Sequence, residues 1–97
     1  ALALDVFEAV AASEGLDSVR ARRHRIEHAQ LVRPEDVARL GRLCAVASVQ
    51  PIHLASDLRI AEARLGAHRC ASCGYPWRSF ADKEEALGST LAFGTDY

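Results

Sequence analysis

The hydrophobic positions change period several times along the chain. In residues 1–14, "ALALDVFEAVAASE", Ala3, Val6, Phe7 and Val10 recur at helical spacing, and Gly15 follows as a C-terminal stop. Residues 23–29 alternate instead. Ile26 lies between Arg25 and Glu27, as in a strand with different environments on its two faces. "RPEDVARLGRL" then sets Pro34 at a first helical position. Glu35 and Asp36 fall in the first turn, where the helix dipole favours negative charge, and Val37, Leu40 and Cys44 continue one face. Residues 45–50, "AVASVQ", are short, partly β-branched and closed by Pro51, which predicts a buried strand.

Beyond Pro51 the period is helical again, with Leu54, Leu58, Ala61 and Leu65 forming a stripe that stops at Gly66. "AHRCASCGYP", residues 67–76, reads as a loop. "WRSFADKEEALG" reads as a helix with Trp77, Phe80, Ala81 and Leu87 on one side and Gly88 as its stop. The last apolar run, "TLAFG", predicts a strand over 90–94.

Strands separated by helices pair in parallel through right-handed crossovers, so the expected class is α/β. The expected strands lie near residues 23–28, 45–50 and 90–94, adjacent in that order, with helices on one face. A sheet of three strands leaves two unpaired edges and buries little surface. A (β/α)8 TIM barrel devotes ~30 residues to each unit, so 97 residues match about three consecutive units. The whole chain, 1–97, is therefore either a piece of a larger barrel or a small open α/β domain.

Charge and composition remove some function classes. Twelve basic residues against 13 acidic ones give a net charge of −1, which offers no patch for nucleic acid. No apolar run approaches the ~20 residues of a membrane span, and no signal peptide is visible. Three cysteines are an odd number and too few to staple a secreted domain, which points to a reducing compartment and a cytoplasmic location. The expected partner is a small-molecule substrate, and a homo-oligomer is compatible with the open sheet edges.

Polar residues gather at the expected strand ends, where parallel α/β folds place their chemistry. The first strand ends in "EHAQ" with His28 and Gln30, the second in "QPIH" with Gln50 and His53, and the third in "FGTDY" with Asp96. His28, His53 and Asp96 are expected to meet on one rim.

"RIEHAQ", "SVQPIH" with Asp57 four residues on, "YPWRSF" and "LAFGTDY" together resemble the metal-dependent amidohydrolase superfamily, in particular amidohydrolase family 3. That branch includes N-substituted formamide deformylases. The resemblance runs from about Leu2 to Tyr97 and implies the C-terminal part of a (β/α)8 barrel, from the helix after the fifth strand to the end of the eighth. It implies that His28 is a metal ligand and that Asp96 binds or faces the metal and serves as general base. It gives His53, and beside it Gln30, a place toward the substrate, with Asp57 a weaker match. The implied cofactor is a divalent metal, with zinc expected.

The chemistry suits these residue types. Imidazole donates a lone pair to Zn²⁺ at ~2.0–2.1 Å, and a bound divalent ion lowers the pKa of its water to ~7. A neighbouring aspartate can take the water's proton during attack on an amide carbonyl and return it to the leaving nitrogen. On this reading Ile26, two residues before His28, packs the barrel interior, and Glu27 pairs with an arginine on the helix-facing side. His24 and His68 are structural or solvated, and Trp77 and Phe80 pack the core. The further ligands of such enzymes, an HxH pair, a mid-barrel carboxylate or carboxylated lysine and another histidine, are not in this sequence, so the chain alone is expected to be inactive. Two rival readings stand beside this one. Cys70 and Cys73, spaced CxxC, could form half of a small structural zinc site helped by His68 or Cys44, or the segment could be a noncatalytic structural module.

Overall fold

The computed structural model describes residues 2–87 and 90–96, the side chains of 83–87 excepted. The three expected strands form β1 (Arg25–Glu27), β2 (Val46–Val49) and β3 (Thr90–Phe93), in spatial order β1-β2-β3 with both pairings parallel. β2 is central and all four of its residues are buried. A strand covered on both sides needs that apolar, partly β-branched sequence.

Among the described residues the helices are α1 (Leu2–Glu14) and α2 (Leu16–Arg22) before β1, α3 (Pro34–Arg42) between β1 and β2, and α4 (Ile52–Leu65), α5 (Ala67–Cys73) and α6 (Trp77–Leu87) between β2 and β3. Leu4, Val19, Val37, Leu40 and Phe80 from the helices pack against Ala47 and Val49 of β2, with Ile26 and Leu91 at the margin. Ile26, Ala47 and Leu91 are register partners, so one row of the sheet faces the helix layer. Ile26 thus packs under the helices and not, as expected, on the opposite, interior face. The reason is that alternation distinguishes two faces but does not say which one helices cover.

Arg25, Glu27 and Ser48 occupy the other face. Glu27 does pair with an arginine, Arg25, at 2.9 Å, but on this side away from the helices. The carboxyl of Glu27 is held below its ordinary range, first by a hydrogen bond from Ser48 and then by Arg25.

α1 and α3 are clamped by one guanidinium. Arg39 donates to Asp5 and Glu8 of α1 and, 2.7 Å away, to Asp36 of its own helix, while Arg42 also reaches Glu8. Asp36 is only 3% exposed, so its first-turn charge has become a buried partner of Arg39 in addition to a complement of the dipole.

Two segments differ from expectation. Gly15 stops α1 at φ 92°, as expected, but a second short helix follows at once and buries Val19. Residues 67–73, expected as loop, are α5, which begins after Gly66 at φ 83° and buries Cys70. Seven residues give too few turns for a hydrophobic period to show. The expected stop at Gly88, the side chain of Leu87 and the final Tyr97 lie outside the described residues.

Candidate functional site

The end of β1 is bent sharply. His28 (φ 67°) and Ala29 (φ 44°) are both left-handed, and Ala29 N donates to Glu27 O at 2.9 Å. Two consecutive non-glycine residues in that region carry a steric cost. The result is that His28 leaves the alternation of the strand while Ala29 turns into the core, 7% exposed. Asp96, three residues past the end of β3, is also left-handed at φ 69°.

These turns carry His28 and Asp96 toward each other. Nε2 of His28 is 3.7 Å from Oδ2 of Asp96, with both side chains about half exposed. His53 stands in the first turn of α4, its ring edge-on to that of His28 with centroids 6.1 Å apart. Nε2 of His53 is 3.3 Å from the carbonyl of Thr95, and Nδ1 is 3.8 Å from Oδ2 of Asp57. The three strand ends therefore deliver His28, His53 and Asp96 to one rim, together with Asp57.

Gln30 lies between two clefts. One of about 400 Å³ is lined by His28, Gln30, Glu27, Leu31 and Leu40. The other, about 420 Å³, is lined by Gln30, Asp57, Ile60, Arg64 and Tyr75. A short antiparallel bridge between Leu31 and Gly74 brings the turn after β1 against the turn after α5, and Tyr75 N donates to Gln30 O at 2.6 Å. Burial, followed by the charge of Asp57, pushes the Tyr75 hydroxyl above its ordinary range. Tyr75 was not singled out from the sequence; its place depends on that backbone bridge, for which "GYP" carries no signal. Gln50, at the end of β2, is 5% exposed and its Oε1 is buried without a partner among the described residues.

A model of the amidohydrolase family matches residues 1–97. The chain belongs to the amidohydrolase family. Among curated proteins this amidohydrolase chain is similar to Protein LONG AFTER FAR-RED 3 of Arabidopsis thaliana, at 40% identity over 94 residues. The match covers 97% of the chain but only 15% of that protein's length. No solved structure gives a significant match.

The His28–Asp96 pair can be compared with the geometry of a metal site. Two ligands of a tetrahedral zinc at ~2.0–2.1 Å lie roughly 3.4 Å from each other. The His28–Asp96 separation of 3.7 Å fits two such corners. Among the described residues no group of three His, Cys, Asp or Glu side chains could hold a metal ion. The CxxC reading fares no better by that measure: Cys70 is buried on α5, and Cys73 contacts Ser72. His24 stacks on Phe7 at 4.8 Å, in keeping with a structural role.

Proposed function

We propose that this segment is the C-terminal part of a metal-dependent amidohydrolase barrel that hydrolyses a carbon–nitrogen bond of an amide, of the N-substituted formamide type. The observation that carries this reading is the 3.7 Å approach of His28 to Asp96 at the C-terminal end of a parallel sheet in a chain of the amidohydrolase family. His28 and Asp96 would hold a divalent metal, zinc, with further ligands supplied by the longer protein. When bound, the ion supplies a positive charge that polarises the carbonyl and makes water acidic enough to ionise near neutral pH.

The chain's own groups do the rest. Asp96 accepts the proton of the attacking water on its free carboxylate oxygen and delivers it to the departing nitrogen, so that a neutral amine leaves. His28 fixes the site on the β1 side, and its ring, turned out by the left-handed backbone, faces Asp96. Gln30 offers an amide donor and acceptor where the two clefts meet, suited to orienting a small amide by hydrogen bonds. No helix among the described residues is long and apolar enough to cross a membrane, and the substrate is a small molecule handled in the cytoplasm.

The test uses the full-length protein. Metal content is measured, and hydrolysis of a panel of N-substituted formamides and amides is followed before chelation, after chelation, and after zinc is restored. Bound metal and reversible loss of hydrolysis are expected. A metal-free preparation whose hydrolysis ignores the chelator would sink the reading.

A further inference from the structure

We propose that His53 is a positioning residue for Asp96, holding the turn after β3 so that the carboxylate stays against His28; this rests on the metal-centre reading above. The chain leaves β3 at Phe93 and reaches Asp96 through Gly94 and Thr95. Hydrogen bonds tie that turn to both β2 and α4. Gly94 N donates to Val49 O at 3.1 Å, and Nε2 of His53 donates to Thr95 O at 3.3 Å.

His53 is well placed to act as the fixed end of the second tie. Its own N–H donates to Gln50 O at 3.1 Å, and Leu54 N donates to Pro51 O at 3.1 Å, so the ring is carried by a turn anchored directly on the end of the central strand. A carbonyl only accepts, so the tie requires the proton on Nε2. On the other side of the ring, Oδ2 of Asp57, one turn along α4, lies 3.8 Å from Nδ1, beyond hydrogen-bond reach. Ser56 in turn donates to Asp57 at 2.7 Å. The ring is thus tied through Nε2 to a carbonyl of the neighbouring loop, with the Asp57 carboxylate beyond its Nδ1 side.

Asp96 needs such a tie. Its φ of 69° is a conformation that L-residues seldom hold unless the surroundings determine it. The peptide that His53 grips begins at the Thr95 carbonyl, directly before Asp96, so releasing it frees the rotation that aims the carboxylate. His53 therefore acts on Asp96 through the backbone, without touching the reacting atoms.

The experiment uses the full-length apoprotein reloaded with cobalt(II), whose visible absorption reports the ligand set. His53→Phe keeps a flat ring of similar size but has no N–H to donate, while His53→Gln keeps a donor. Partners of metal ligands typically change affinity ~10–100-fold when removed, and a loss of that size with an altered cobalt band is expected for His53→Phe. His53→Gln should recover most of it. Hydrogen exchange should show Thr95 and Asp96 less protected in His53→Phe, with Ala47 to Val49 unchanged as the check on folding, and His53→Ala should behave like His53→Phe. A His53→Phe protein with wild-type cobalt affinity and band shape overturns the proposal. Failure of the underlying reading looks different: the wild-type protein takes up no cobalt, or His28→Ala takes up as much as wild type, and the positioning role falls with it.

Discussion

His28 and Asp96 follow the two outer strands of the sheet, yet their Nε2 and Oδ2 atoms lie 3.7 Å apart across the end of the strand between them. Neighbouring strands run ~4.8 Å apart, so the outer two are separated by roughly 10 Å. Left-handed turns at His28, Ala29 and Asp96 close that gap.

The two residues should fail in different ways. In the full-length protein, His28→Ala should lower metal content and turnover together, because a ligand nitrogen is removed. Asp96→Asn keeps the shape but cannot accept a proton, so turnover should fall ~10²–10⁴-fold while much of the metal remains. Metal analysis and kinetics on the same preparations separate the outcomes, and near-normal turnover in Asp96→Asn would exclude it as the base.

Phe80 sits between α6 and the sheet with 1% of its surface exposed. Phe80→Ala should cost ~3–5 kcal/mol in urea denaturation, since the neighbouring helices are held by a rigid sheet and cannot collapse into the space.

The Arg39 clamp makes stability depend on acid. The hydrogen bond from Arg39 lowers the Glu8 carboxyl below 4.5. For Asp36, burial pushes upward, but the bond from Arg39 helps to outweigh it and the carboxyl ends below its ordinary value. Both folded values are depressed, so their stabilisation is fully present above the ordinary carboxylate range and is lost as pH falls through the lowered values. Melting temperature should therefore drop below about pH 4, and Arg39→Met should lower it at neutral pH while flattening this acid limb. Equal acid sensitivity in the two proteins would remove the clamp as its source.

On the open face, Ser48 is paired in register with Glu27. Its hydroxyl is the leading cause of the lowered Glu27 carboxyl. Carbon-detected titration should show the Glu27 midpoint rising toward 4.5 in Ser48→Ala, with Asp36 unmoved. An unchanged Glu27 would transfer the effect to Arg25.

Periodicity identified the parallel strands and their order because each is an alternating or apolar run between helices, and it located the rim because chemistry-bearing side chains follow each run. It placed Ile26 on the wrong face because a three-residue strand has no long pattern to orient it, and α5 escaped because seven residues hold fewer than two full turns. The turn that aims His28 at Asp96 depends on a backbone conformation that the sequence around Ala29 does not advertise. The pairing of Asp36 with Arg39 lies at helical spacing, but its burial arises from α1 lying across it, which only the tertiary structure supplies.

No residue of α4 is buried, although the helix is fourteen residues long and begins directly at the rim. Nearly all of its sequence is thus free of obligations to the sheet beyond the first turn. A region under so little structural constraint can be recut with limited damage to the fold, while Asp57 and Ile60 on its flank border a cleft beside Gln30. For protein engineering, α4 beyond its first turn is the stretch to diversify around that cleft, with positions 53 and 57 kept fixed.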